Sequence, residues 1–201
     1  MKEQQEFADV VLNCDILTKK ESFDLMKYFS SGLKFPMGFS GARRRGSPQR
    51  INRFESITKG EGWLESGGWK NSIVVSVDNT IKLHAVRLFG SENNVYSVTL
   101  TVTDSSGVTL ATKIGKFISE RIHCEIGDYQ GFDISFEPPF TLQAVIQYSL
   151  KASISDPPSW YEAEGWSCLE HAGVTFFFAN KAGALTSVSA GQFPEFVFTV
   201  C

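Results

Sequence analysis

The sequence predicts an all-β fold, an antiparallel β-sandwich preceded by a short α-helical segment, and three observations predict it. From Ile51 onward apolar residues recur with a period of two, in short runs parted by Gly, Pro, Asn and Asp. No helical pattern separates those runs, so the crossovers that parallel strands require are missing and a parallel α/β arrangement is excluded. The chain also holds seventeen phenylalanines, a usage that suits facing sheets filled by alternating inward side chains.

Residues 3–31 are the one region with helical spacing. Phe7, Val10, Val11 and Cys14 predict a helix from Glu3 to Cys14. Thr18-Lys19-Lys20-Glu21 is a capping box, in which the Thr hydroxyl accepts from the amide three residues on and the Glu reaches back. It opens a second helix that buries Leu25, Met26 and Phe29 and ends near Gly32. Two helices this short enclose no core, so residues 1–35 read as the C-terminal part of a larger helical domain. Residues 36–50 read as a linker. Its Arg43-Arg44-Arg45 run is a candidate nuclear-import patch and Ser47 a candidate phosphorylation site, although a solvated, flexible connection explains both with less assumption.

Residues 51–201 are assigned to the sandwich. Ile73, Val75 and Val77 share one face, and after Asn79-Thr80 the residues Ile81, Leu83 and Ala85 continue it. Tyr96, Val98, Leu100 and Val102 point one way and Ser97, Thr99, Thr101 and Thr103 the other. Asp104-Ser105-Ser106-Gly107 is a hairpin turn. Phe132, Ile134 and Phe136 alternate with Asp133, Ser135 and Glu137. Leu142, Ala144, Ile146, Tyr148 and Leu150 predict one face of a long strand after Pro138-Pro139, and Val174 to Phe178 and Phe196 to Val200 complete the set.

A net charge of −3 argues against general nucleic-acid binding, which needs a basic surface that displaces counterions. No apolar run approaches the roughly 20 residues of a membrane span, and the MKEQQEF start lacks a signal-peptide core. The four cysteines, Cys14, Cys124, Cys168 and Cys201, lie far apart. With no secretory feature they read as reduced thiols, which places the chain in the cytoplasm, with nuclear access through Arg43, Arg44 and Arg45.

Chemistry-bearing constellations are weak. His123-Cys124 and Cys168-x-x-His171 have spacings compatible with zinc, yet buried thiols and surface histidines explain them more simply. No cysteine or serine sits in a nucleophile elbow. The acid pairs Glu61/Glu65 and Glu162/Glu164 lie in loop-like sequence, and Gly60 to Gly68 is followed by no helix that would present amides to a phosphate. The expectation is therefore a non-enzyme with no catalytic residue, metal or cofactor. The aromatic loops are better candidates: Trp63 and Trp69 flank a glycine-rich bend, and Trp160, Tyr161 and Trp166 follow Pro157-Pro158. Loop tryptophans on a rigid scaffold either cap the core or anchor a partner.

The order of these motifs resembles a PHR domain, the module named for the PAM, Highwire and RPM-1 ubiquitin ligases. The resemblance is carried by Arg53-Phe54, Gly62-Trp63, Ser72 to Asp78, Arg87-Leu88-Phe89-Gly90, Gly173 to Phe178, Thr186-Ser187-Val188 and Gly191-Gln192-Phe193-Pro194-Glu195-Phe196. It implies a jelly-roll-like sandwich. The prefix, Glu6 to Leu12 with Asp15 to Thr18, resembles the end of a BACK domain. BACK followed by PHR is the layout of BTB/POZ proteins that resemble adaptors for cullin-RING ubiquitin ligases, the BTB domain engaging the cullin and the PHR domain recruiting the substrate. No stretch here resembles a BTB domain, so this chain is expected not to dock a cullin through one. Leu64-Glu65 and the Asn180 to Leu185 loop depart from the family pattern, which bears on specificity. The resemblance adds Thr186, Ser187 and Gln192 to the partner-binding candidates. The functional expectation is a protein-interaction module. Its alternatives are an intracellular carbohydrate- or small-ligand-binding sandwich and a hydrolase, for which no nucleophile and base are found.

Overall fold

The computed structural model describes residues 47–57, 70–155 and 157–201. The two helices expected within residues 3–31, Arg43 to Arg45, Trp63 and Trp69 lie outside them. All thirteen elements among the described residues are strands. In chain order they are β1 (Gln49–Asn52), β2 (Lys70–Val77), β3 (Ile81–Phe89), β4 (Val95–Thr103), β5 (Thr109–Ile118), β6 (Glu120–Ile122), β7 (Tyr129–Leu142), β8 (Tyr148–Ile154), β9 (Glu162–Ala163), β10 (Cys168–His171), β11 (Val174–Asn180), β12 (Ala190–Gly191) and β13 (Glu195–Val200).

They form a five-stranded sheet, ordered β1-β13-β3-β7-β6, and a six-stranded sheet, ordered β10-β11-β2-β8-β4-β5, with β12 and β9 as a small ribbon. Every ladder between these strands is antiparallel, and the sandwich architecture predicted from the alternation is the one observed. Leu83, Val86, Leu88, Ile134 and Phe196 face the interior from the first sheet, and Ile73, Val75, Val98, Leu100 and Phe176 from the second, all of them fully buried or nearly so. Much of the phenylalanine complement is spent on this interface. The Phe176 ring meets Phe198 edge-on at 4.9 Å, Phe178 packs on Phe196 at 5.4 Å, and Tyr96 and Phe117 both stack on Phe132. Such pairs contribute about 0.5–1.5 kcal/mol each beyond their area burial.

The predicted hairpin is present between β4 and β5. Asp104 Oδ1 accepts from the amides of Ser106 and Val108, each at 2.9 Å, an Asx turn that leaves Gly107 at φ 86°. Hydrogen bonding, led by the Ser106 hydroxyl, holds the Asp104 carboxyl below its usual range.

Two expectations are corrected. The apolar face read as Ile81, Leu83 and Ala85 does not continue through Ala85. Both ladders of β3 shift register at this point, Leu83 pairing with Phe140 and Ala85 with Ser135 on one side, and Phe198 and Val197 taking the same two residues on the other. His84 is therefore the bulged residue, and a single extra residue exchanges the faces of everything after it. Val86 and Leu88 turn into the core, while Ala85 and Arg87 go to the outer face. The second correction concerns the long strand placed after Pro138-Pro139. Strand β7 runs through both prolines to Leu142, the chain turns, and β8 begins at Tyr148. Ala144 and Ile146 lie in the turn, beside Val145 at φ 59°. The prolines fall in the interruption opposite His84, where no ladder N–H is demanded of them.

Candidate partner-binding site

The loops at one end of the sandwich are assembled around Arg53, which follows β1 and has no exposed surface. Its Nε donates to the carbonyl of Phe193 at 3.3 Å, one terminal nitrogen to Ser187 at 3.2 Å and to Val188, and the other to Gln192 at 2.8 Å. A fork of planar donors suits this ring of carbonyls in a way an ammonium does not. Burial pulls the Arg53 pKa down to about 9, so it remains a cation at neutral pH. The guanidinium also lies over the Phe54 ring at 4.2 Å. Gly165 closes this site from the side, since a Cβ there would run into the Val188 carbonyl and the Arg53 guanidinium. The backbone adds two links, Arg53 N to Pro194 O and Trp166 N to Arg53 O, both 2.8 Å.

Gln192 carries the arrangement onward. Its Oε1 accepts from the Phe89 amide at 2.9 Å, and its Nε2 donates to Ser159 Oγ at 2.9 Å and to the Trp160 carbonyl at 2.6 Å. Thr186 Oγ1 donates to Asn71 Oδ1 and accepts from the Gln192 amide. Gly191, at φ 123°, lies so close that a Cβ would sit 2.7 Å from Thr186 Cα. Thr186 and Gln192 are thus buried and spent on internal bonds, presenting no surface of their own. Ser187 is half-buried and accepts from Ala190 N at 3.0 Å.

Trp160 is set by these contacts. It is half-buried and packs on the outer face of the five-stranded sheet, against a second apolar cluster of Phe54, Phe89 and Tyr129 that Ile57, Ile122, Cys124 and Ile126 also cover. Phe89 contacts Tyr129 edge-on at 5.2 Å. Beside Trp160 opens a pocket of ≈ 260 Å³ lined by Ile57, Glu92, Arg121, Asp128, Tyr129, Gln130 and Trp160. Its floor is apolar and its rim charged, with Arg121 bonded to Asp128 at 2.8 Å and His123 Nδ1 at 3.0 Å from the same carboxylate. The Arg121 hydrogen bond, then that of His123, holds the Asp128 carboxyl below its usual range. A pocket of this kind takes an apolar side chain and orients the polar chain around it.

Of the residues proposed from the sequence, Trp160 lines the pocket. Trp166 is 43% exposed, Tyr161 is half-buried, and neither lines it. Arg121, Asp128 and Ile57 were missed, because their residue types carry no signal until the β6–β7 hairpin sets Arg121 on Asp128 and the Ile57 amide bonds to Ile126 O. His123 and Cys124 sit in the β6–β7 turn, with Cys124 Sγ donating to Gly127 O at 2.9 Å, whereas Cys168 and His171 lie on β10 of the other sheet. Among the described residues no group of three His, Cys, Asp or Glu side chains is gathered for a metal.

Behind the pocket the outer face carries a charged network. Arg87 forms two bonds to Asp133, at 2.7 and 2.9 Å, and one to Glu195 at 2.7 Å. Arg50 bridges the same two carboxylates, and Tyr129 OH donates to Glu195 Oε1 at 2.6 Å. Burial, then the Glu195 carboxylate, pushes the Tyr129 hydroxyl far above its ordinary pKa, so it remains a donor. Burial alone would raise the Asp133 carboxyl, but Arg87 and Arg50 outweigh it and hold the group below the usual carboxylate range. A depressed carboxyl contributes stability above its unfolded pKa of about 4 and loses it as pH falls through the native value. Melting temperature is therefore expected to drop as the pH is lowered from 5 toward 2. Asp133→Asn, already destabilised at pH 7, should lose less over that interval; equal losses in scanning calorimetry would discount the group.

A rigid sandwich whose loops and outer strands enclose an apolar pocket with a charged rim defines an interaction module. The match to known sequences is in keeping with this. The PHR domain model matches residues 52–199, and the chain belongs to the PHR-domain family. Among curated relatives, BTB/POZ domain-containing protein 6-B of Danio rerio is 30% identical over 96% of this chain and 40% of its own length. BTB/POZ domain-containing protein 6 of Homo sapiens is 28% identical over 96% of this chain and 36% of its own. The chain thus spans between a third and two fifths of the curated relatives it matches.

Proposed function

We propose that this chain is a non-enzymatic, substrate-recruiting part of an adaptor for a cullin-RING ubiquitin ligase, acting in the cytoplasm. The observation that carries the proposal is the extent of the likeness. Similarity to BTB/POZ proteins covers 96% of the chain and so reaches beyond residues 52–199 into the residues before them. In this reading a BTB domain engages the cullin and the sandwich selects what is modified. The pocket beside Trp160 is where the selected protein docks, an apolar side chain entering over Tyr129 with its neighbours against Arg121 and Asp128.

The test uses the whole chain. Proteins captured from cells by the wild type and lost with Arg121→Glu are compared for turnover in the presence of a fusion of this chain to a BTB domain. Arg121 is 58% exposed, so its replacement is expected to leave the melting temperature within about 2 °C. At least one captured protein should be depleted by the fusion in a proteasome-dependent way. Capture unaffected by Arg121→Glu, or levels unmoved by the fusion, counts against the proposal. Stabilisation by an oligosaccharide in a thermal-shift screen would favour a carbohydrate-binding sandwich instead.

A further inference from the structure

The six-stranded sheet ends in β5, ten residues long and paired with β4 alone among the described residues. Its outer face is unusually apolar for an edge. Ile114 is 78% exposed and Ile118 65%, and Val95, directly opposite Ile118 in the ladder, is 50% exposed. An open groove of ≈ 470 Å³ lies beside Ile114 and Lys116, with Ser97, Thr99 and Ser153 among its lining residues. A long edge strand offers a row of backbone donors and acceptors to an incoming chain.

The charges decide which chain. Strands β2, β8, β4 and β5 contain four lysines, Lys70, Lys151, Lys113 and Lys116, and no aspartate or glutamate, in a chain whose net charge is −3. A second copy joined edge to edge along β5 would gather two copies of Lys113 and Lys116 around its two-fold axis with no carboxylate on β5 or β4 to offset them. The lysines thus guard against self-association, and the same lysines favour an acidic strand. We infer that the β5 edge is a docking site for an extended, acidic segment of a partner protein, added as a further antiparallel or parallel strand with aliphatic side chains against Ile114 and Ile118. The groove beside β5 shares no lining residue with the Trp160 pocket, and the inference does not depend on that pocket's role.

The experiment uses the full chain and labelled probe peptides followed by fluorescence anisotropy: alternating Glu-Val, alternating Lys-Val, and poly-glutamate of equal length, with oligothymidylate as a polyanion of another class. The Glu-Val peptide should bind and shift the amide resonances of β5. Binding should weaken roughly tenfold or more in Lys113→Glu/Lys116→Glu and detectably in Lys116→Glu alone, the latter an exposed position whose replacement is expected to melt like the wild type. The Lys-Val peptide should not bind. The inference fails if Glu-Val does not bind, if the charge reversal leaves its affinity unchanged, or if poly-glutamate or oligothymidylate binds as well.

Discussion

Arg53→Ala is expected to cost on the order of 3–5 kcal/mol, enough to lower the melting temperature by roughly 10 °C or to prevent folding. The loss is not that of a surface cation. Four carbonyls, those of Ser187, Val188, Gln192 and Phe193, accept from this one guanidinium, and truncation leaves them facing an apolar hole. Arg53→Lys is the sharper variant, because it keeps the charge and removes the fork. It is expected to recover little of the stability. Should it melt within about 2 °C of the wild type, charge rather than geometry would be what holds the loop, and the account given for Gly165 would fall with it. The effect should also be local at first, with hydrogen exchange rising in residues 186–193 before the sheets open.

Glu195→Ala is expected to have an effect of comparable size, about 3–5 kcal/mol, since removing one member of a buried charged group strands the rest. Glu195 is 6% exposed in its side chain and Arg87 9%, and Tyr129 loses the acceptor that keeps its hydroxyl satisfied. The double variant Arg87→Met/Glu195→Met should lose distinctly less than the sum of the two single losses, because each single change includes the cost of an orphaned partner. Additive losses in denaturant unfolding would mean that the two groups act independently despite a separation of 2.7 Å.

Much of this fold was legible because strands with one buried face announce themselves. Tyr96, Val98, Leu100 and Val102 alternate without fault, and the turn at Asp104 to Gly107 carries its own chemistry. The two misread places share a cause. At His84 an extra residue shifts two ladders at once, and nothing local distinguishes it from regular strand, because Ala85 and Val86 are both apolar. Beyond Pro138-Pro139 the alternation runs unbroken from Leu142 to Leu150 while the backbone turns at Val145, so the pattern outlives the strand. The candidate site was less legible for a different reason. Trp160 could be singled out by residue type, but its pocket needs Arg121 and Asp128, set together by the β6–β7 hairpin, and Ile57, tied to that hairpin by a long-range bond to Ile126 O. Likewise Arg53 finds its acceptors 134 to 140 residues away, a separation at which composition and periodicity are silent.

That separation has a consequence for biosynthesis. Among the described residues strand β1 is paired only with β13, Gln49 opposite Phe198 and Asn52 opposite Glu195, and the Arg53 loop is completed by the same late segment. A ribosome that has released residues up to about 180 holds a chain able to form most of the six-stranded sheet but not the closing edge of the other. Folding of this domain is therefore expected to wait until β13 has emerged, leaving Phe176 and Phe178, whose rings pack on Phe196 and Phe198, uncovered in the nascent chain for the interval. It is during that interval that a chaperone would find the most to hold.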